Sequence, residues 1–92
     1  MLKVTLLTAS RILFEGEAAF VRLPGEQGVF EIGLMHKALV SRLLPGVIRV
    51  DRKPFSIRHG VVKVKNDRVV AMVEADLTPY EAENQIPQGG PV

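Results

Sequence analysis

Up to residue 76 the chain is a string of short apolar–polar alternations. Leu2, Val4 and Leu6 alternate with Lys3 and Thr5, and Ala19, Val21 and Leu23 alternate with Phe20 and Arg22. Ile12 to Phe14 is a brief apolar run closed by Glu15-Gly16. A period of two places alternate side chains on opposite faces, which predicts strands with one face buried. Turn signals separate them. Pro24-Gly25 stops one strand, and from Gly25 to Val50 the chain reads as strand, loop, strand, tight turn, strand, with Leu44-Pro45-Gly46 as the tight turn. Val47 to Val50 and Phe55 to Arg58 flank Asp51-Arg52-Lys53-Pro54, a hairpin connection; Pro54 has no N–H and belongs at a strand start or edge. The clearest hairpin runs from Val61 to Val73, and Asn66-Asp67 form its tip because both residue types tolerate left-handed backbone. Such closely spaced elements predict an all-β domain over residues 1–76, a sandwich or a barrel.

The pattern changes at Ala75-Asp76. Thr78, Pro79 and Glu81 fit the N-cap, N1 and N3 positions of a helix, but Pro87, Gly89, Gly90 and Pro91 stop it. At most about two turns remain, too few to be stable alone. Residues 77–92 are therefore expected to be a short tail, flexible or partly helical.

Ninety-two residues suit one domain, burying roughly 60–65% of its unfolded surface. The 47% hydrophobic and 24% charged composition is globular, and the absence of cysteine excludes disulfides and thiolate sites. No apolar run approaches the ~18 residues of a membrane span, and the N-terminus starts directly in a strand pattern rather than a secretory leader. A cytosolic protein is expected. All 12 Lys and Arg lie at or before Arg68. Seven of them, Arg49, Arg52, Lys53, Arg58, Lys63, Lys65 and Arg68, face only Asp51 and Asp67 over that stretch. This reads as a solvated sheet face or as a docking face for an acidic protein. With four Phe, one Tyr and no Trp, none interleaved with the basic residues, there is no stacking platform for nucleic acid.

Catalytic chemistry is hard to find. His36 and His59 have no paired ligand motif, so no metal site is expected. Ser41 and Ser56 lack a nucleophile-elbow context and read as strand residues. Gly25-x-x-Gly28 is followed by no helix that could bind phosphate, and reads as a tight connection. The glutamates form no acid/base pair. The chain is read as a non-enzyme without cofactor or small-molecule substrate. The apolar Leu34-Met35, beside His36 in a loop position, either fold back on the core or form part of a protein-binding patch.

One ordered series spans residues 2–76: Val4 and Leu6, Phe14-x-Gly16, Val21-x-Leu23, Gly25-x-x-Gly28, Phe30-x-Ile32, His36, Leu39, Leu44-Pro45-Gly46-x-Ile48, Gly60-Val61-Val62-x-Val64 and Val69-x-Ala71-x-Val73. In order and spacing it resembles the epsilon subunit of rotary F-type ATP synthases. The resemblance implies a flattened sandwich of two antiparallel sheets in the central rotor stalk, bound to the gamma subunit and seated on the membrane c-ring. By position, Gly25, Glu26, Gln27, Gly28 and Val29 would face the c-ring; Leu34, Met35, His36, Lys37, Leu39 and Ser41 would face gamma. It further implies a peripheral subunit on the cytoplasmic face of a bacterial inner membrane, coupling ion-driven rotation to ATP synthesis or hydrolysis.

Two departures from that pattern stand out. Many relatives carry Gly-Ile-x-Pro-Gly-His-Ala-Pro-Leu where this chain has Glu31-Ile32-Gly33-Leu34-Met35-His36-Lys37-Ala38-Leu39, and His59 replaces a glycine ahead of Gly60. The strand pattern also ends where many relatives begin a helical hairpin, so the resemblance brings neither a hydrolysis brake nor a nucleotide site to these residues. The alternative reading from residues alone is a freestanding sandwich or barrel adaptor for an acidic protein.

Overall fold

The computed structural model describes residues 1–75, all in strands and short connections. The strands are β1 (Leu2–Leu7), β2 (Ile12–Ala18), β3 (Val21–Gly25), β4 (Gly28–Ile32), β5 (Leu39–Leu43), β6 (Gly46–Val50), β7 (Lys53–Lys65) and β8 (Arg68–Ala75). They form one hydrogen-bonded network in the order β2-β1-β8-β7-β5-β3-β4, with β6 pairing β3 and β7. The network folds over itself as a sandwich. One layer is β2-β1-β8, the C-terminal half of β7 and β5; the other is β4-β3-β6 and the N-terminal half of β7.

Strand β7 belongs to both layers. Lys53 to Ile57 pair with β6, and Gly60 to Val64 pair with β5. Between them the β7–β8 register slips from Ile57 to His59, a device that bends a strand. Gly60 sits at the bend, where an added Cβ would lie 2.6 Å from the Met72 carbonyl oxygen and 2.7 Å from Val73 Cγ1. Only glycine allows β8 to approach this closely.

The buried face of every strand feeds one core. Leu2 and Leu6 of β1, Leu23 of β3, Ile32 of β4 and Ile48 of β6 are among its fully enclosed members. Phe14 and Phe55 close one side edge-to-face, with ring centroids 6.3 Å apart. No polar side chain is buried among the described residues, so the core holds together by apolar burial alone.

The turns follow the local chemistry. Asn66 and Asp67 both have left-handed backbone, φ 53 and 60, as a two-residue hairpin requires. The sequence reading of three other features is corrected. Strand β2 does not close at Glu15-Gly16 but runs on to Ala18, because Glu15 and Glu17 point outward while Gly16 lies under the Phe14 ring. The β6–β7 connection shrinks from four residues to Asp51-Arg52, with Lys53 and Pro54 already paired to Val50 and Arg49. The pairing is not wholly antiparallel, since β1 and β8 run parallel. The tail expected over 77–92 lies outside the described residues.

Asp51 ties the two layers' ends. It adopts φ 54, its N–H donates to the Phe20 carbonyl at 3.1 Å, and its Oδ1 accepts from the N–H groups of Ala19 and Phe20 at 2.9 and 3.2 Å. The β2–β3 connection is thereby pinned to the β6–β7 turn. Asp51→Ala should lower stability in urea by about 1–2 kcal/mol, because it removes two charge-assisted bonds and leaves a left-handed residue unsupported. Asp51→Asn, which keeps an acceptor oxygen, should recover most of the loss.

Candidate functional site

Glu26 and Gln27 form the exposed two-residue tip between β3 and β4. Neither has positive φ; Gly28, at φ 114, completes the reversal. Gly25 is buried, with the Phe30 ring where a Cβ would sit, 2.7 Å away. It therefore shapes the tip, while Glu26, Gln27, Gly28 and Val29 present it to solvent. Arg42 Nη1 of β5 lies 3.5 Å from Glu26 Oε2. A shallow groove of about 490 Å³ runs between the tip and β5, bordered by Glu26, Val29, Leu39, Val40 and Ser41. Thus two residues expected to face gamma, Leu39 and Ser41, adjoin the tip expected to face the c-ring. Leu39 is half-buried against the core, and Ser41 Oγ donates to the Arg42 carbonyl at 3.1 Å.

The remaining residues of that second set, Leu34 to Lys37, follow the opposite end of β4. Leu34 is 54% and Met35 89% exposed, so the pair lies on the surface and not in the core. Met35 takes φ 62, and its N–H donates to Asp67 Oδ1 at 2.6 Å. His36 is half-buried, its Nδ1 2.8 Å from the Lys37 carbonyl. The two apolar side chains form a knuckle beside the β7–β8 turn.

A third surface was missed in the sequence. Strand register lines up Ile12, Leu7, Met72 and Val61 across the outer face of the β2-β1-β8-β7-β5 layer, ending at Arg42. Val70 and Val40 extend the apolar area in the next row, where Lys63 stands between them. Met72 is 56%, Ile12 54% and Val40 69% exposed. Towards the Asn66-Asp67 turn the following row is charged: Glu17, Lys3, Arg68 and Lys65. On the other side lies a groove of about 830 Å³ between Leu44, Pro45, Val61 and Met72, rimmed by His59 and Glu74. His59 Nε2 lies 2.6 Å from Glu74 Oε1. The signal that could have revealed this face is the doubling of apolar residues in Val61-Val62 and Val69-Val70-Ala71-Met72-Val73, where a half-buried strand should alternate.

The basic run from Arg49 to Arg68 does not form one face. Arg58, Lys63, Lys65 and Arg68 lie on the layer just described, whereas Arg49 pairs with Arg22 and Pro54 in the other. There Arg22 bonds Glu31 at 2.9 Å and stands over the Phe20 ring, while Lys53 stands over Phe14. Among the described residues no three His, Asp or Glu side chains are grouped to hold a metal ion.

These surfaces are suited to docking proteins, and comparison with known proteins gives the class. The family model described as the ATP synthase delta/epsilon chain beta-sandwich domain matches residues 1–77. The chain is 36% identical over 78 residues to the ATP synthase epsilon chain of Sulfurimonas denitrificans, covering 79% of this chain and 60% of that one. It is 32% identical over 87 residues to the epsilon chain of Desulforudis audaxviator, covering 88% and 62%. Among solved structures, a chain of the Tetrahymena thermophila mitochondrial ATP synthase central stalk/c-ring superposes with a TM-score of 0.69 at 18% identity, covering 99% of this chain and 76% of that one. A chain of the Euglena gracilis mitochondrial ATP synthase, in an OSCP/F1/c-ring structure, gives 0.73 at 18%, covering 95% and 62%.

The fold is thus the sandwich found in those assemblies. The chain belongs to the ATP synthase delta/epsilon family through its beta-sandwich domain. It spans about 60% of the length of the curated epsilon chains it matches.

The Glu26–Arg42 pair is exposed on both sides and contributes little to folding. Glu26→Ala should shift the urea-derived stability by less than about 0.5 kcal/mol, leaving the tip available for functional tests in a folded protein.

Proposed function

We propose that this chain is a non-catalytic rotor subunit of the central stalk of an F-type ATP synthase. In this reading it binds gamma, rests on the c-ring, and couples ion-driven rotation to ATP synthesis or hydrolysis. It would sit as a peripheral subunit on the cytoplasmic face of a bacterial inner membrane. Membership of the delta/epsilon family supports the reading. The observation that carries it is the apolar row on the outside of a layer whose inside already belongs to the core. A monomer gains nothing from Ile12, Val61 and Met72 in water; a partner that covers them gains roughly 25 cal/mol per Å² of apolar surface.

The mechanism is mechanical. Gamma would cover the row of Ile12, Leu7, Met72 and Val61 and the Leu34-Met35 knuckle, with His36 and Lys37 at the rim and Leu39 and Ser41 at the groove. The ring would meet Glu26 and Gln27, with Gly25, Gly28 and Val29 shaping that tip. A polar tip suits a contact that fixes register more than affinity. Torque applied to one surface reaches the other through the backbone ladders of a single sheet network.

Val61→Asp with Met72→Asp should weaken binding to the cognate gamma subunit by about 2 kcal/mol or more in calorimetry, since central buried anchors dominate an interface. Register sets the two new carboxylates opposite each other, so the isolated domain should lose about 1 kcal/mol in urea yet remain folded, and the binding loss is read in that folded protein. Unchanged affinity would place gamma elsewhere. For the ring, Glu26→Cys should crosslink to a cysteine in the polar loop of subunit c in the assembled, active enzyme. Crosslinks only from the knuckle end would reverse the orientation.

A further inference from the structure

We infer that Asp67 is a positioning residue for the Leu34-Met35 knuckle, and that the knuckle's fit to its partner depends on the Asp67 carboxylate. The inference rests on the gamma-docking reading above. Met35 is a bulky residue held at φ 62, a region that non-glycine residues seldom occupy. Such a conformation persists where the surroundings impose it. Here the Met35 N–H donates to Asp67 Oδ1 at 2.6 Å, across 32 residues of sequence.

Asp67 is itself a fixed post. It is the second tip residue of the β7–β8 hairpin, with φ 60, and its carbonyl accepts the Lys3 N–H of β1 at 2.9 Å. Its backbone is therefore set by two strands, and its side chain transfers that order to a connection that joins no strand ladder from Gly33 to Ala38. The result is a projecting pair of apolar side chains, Met35 at 89% exposure, followed by Lys37 and tied through Asp67 to Arg68, one of three basic residues in the row of Glu17, Lys3, Arg68 and Lys65. The partner that fits is an apolar socket with an acidic rim. Methionine adapts its shape to such a socket, but only if its backbone is presented in one orientation.

Asp67→Gly separates the clamp from the turn, because glycine accepts the positive φ and keeps the carbonyl that bonds Lys3. Three measurements on the full chain test the inference. Amide exchange followed by NMR should show the Met35 N–H exchanging at least about tenfold faster in Asp67→Gly, with Asp67→Asn closer to the parent. Affinity for cognate gamma should fall by about tenfold in Asp67→Gly and in Met35→Ala. The double variant should be hardly weaker than either single one, since the carboxylate acts through Met35. Unchanged Met35 exchange would overturn the clamp. Faster exchange with undiminished gamma affinity would overturn the positioning role, and so would additive losses in the double variant. If Val61→Asp with Met72→Asp also leaves gamma binding intact, the docking reading fails instead, while the exchange result still judges the clamp. Should Asp67→Gly lower the urea midpoint, exchange at Met35 is compared with that of the β7 and β8 amides: acceleration well beyond theirs supports the clamp, and acceleration no greater than theirs overturns it.

Discussion

Strand β7 is the constraint on which the rest depends. Its thirteen residues pair β6 with one half, β5 with the other, and β8 along most of the length. A straight strand could serve one layer only. The register slip between Ile57 and His59, with Gly60 pressed against Met72 and Val73, turns the strand so that both layers share it. The pairings around it fit that turn: β6 is carried over to β3, β5 meets β3 at the Gly25–Leu43 pair and the Leu44 N–H bond to the Pro24 carbonyl, and β8 continues to β1. A bulky residue at position 60 would thus disturb the packing of both layers at once.

A sandwich built this way has its energy inside and its function outside. Among the described residues sixteen apolar side chains are buried and no polar one is. What remains is arrangement on the surface: an apolar row, a polar tip and a projecting knuckle, each at a fixed place because it stands on strands or is tied to them. Hydrogen bonds accepted by the carboxylates of Asp51 and Asp67 complete that fixing where ladders end. Both residues sit in turns with left-handed backbone, where short acidic side chains are tolerated and free to reach neighbouring N–H groups.

The alternation of residues made most strands legible, and Asn66-Asp67 named its own turn. The Glu26-Gln27 tip was legible too, being bounded by two glycines. What could not be read depended on distant partners. Nothing near Glu15-Gly16 says that Phe14 will cover the glycine and let β2 continue, and nothing near Lys3 says that its strand will run parallel to one that starts at Arg68. The basic run from Arg49 looked like one face because it is continuous in sequence, yet the bend in β7 sends its halves to different layers. For Leu34-Met35 the local pattern left core and surface open; both lie on the surface, with the Met35 N–H donating to a carboxylate 32 residues away that no local pattern announces. The apolar row was hidden for a similar reason: its members come from four strands, and register alone brings them together.

The parallel rungs between β1 and β8, from Lys3–Arg68 to Leu7–Met72, have a consequence for load bearing. Since the two strands point the same way, the chain enters the sheet at one end of this seam and leaves it at the other. A pull between entry and exit drags the strands lengthwise past each other, so all rungs are strained together. An antiparallel seam pulled at adjacent ends would open one rung at a time, like a zipper. Strands β1 and β8 are therefore joined in the geometry that yields least to tension along the chain.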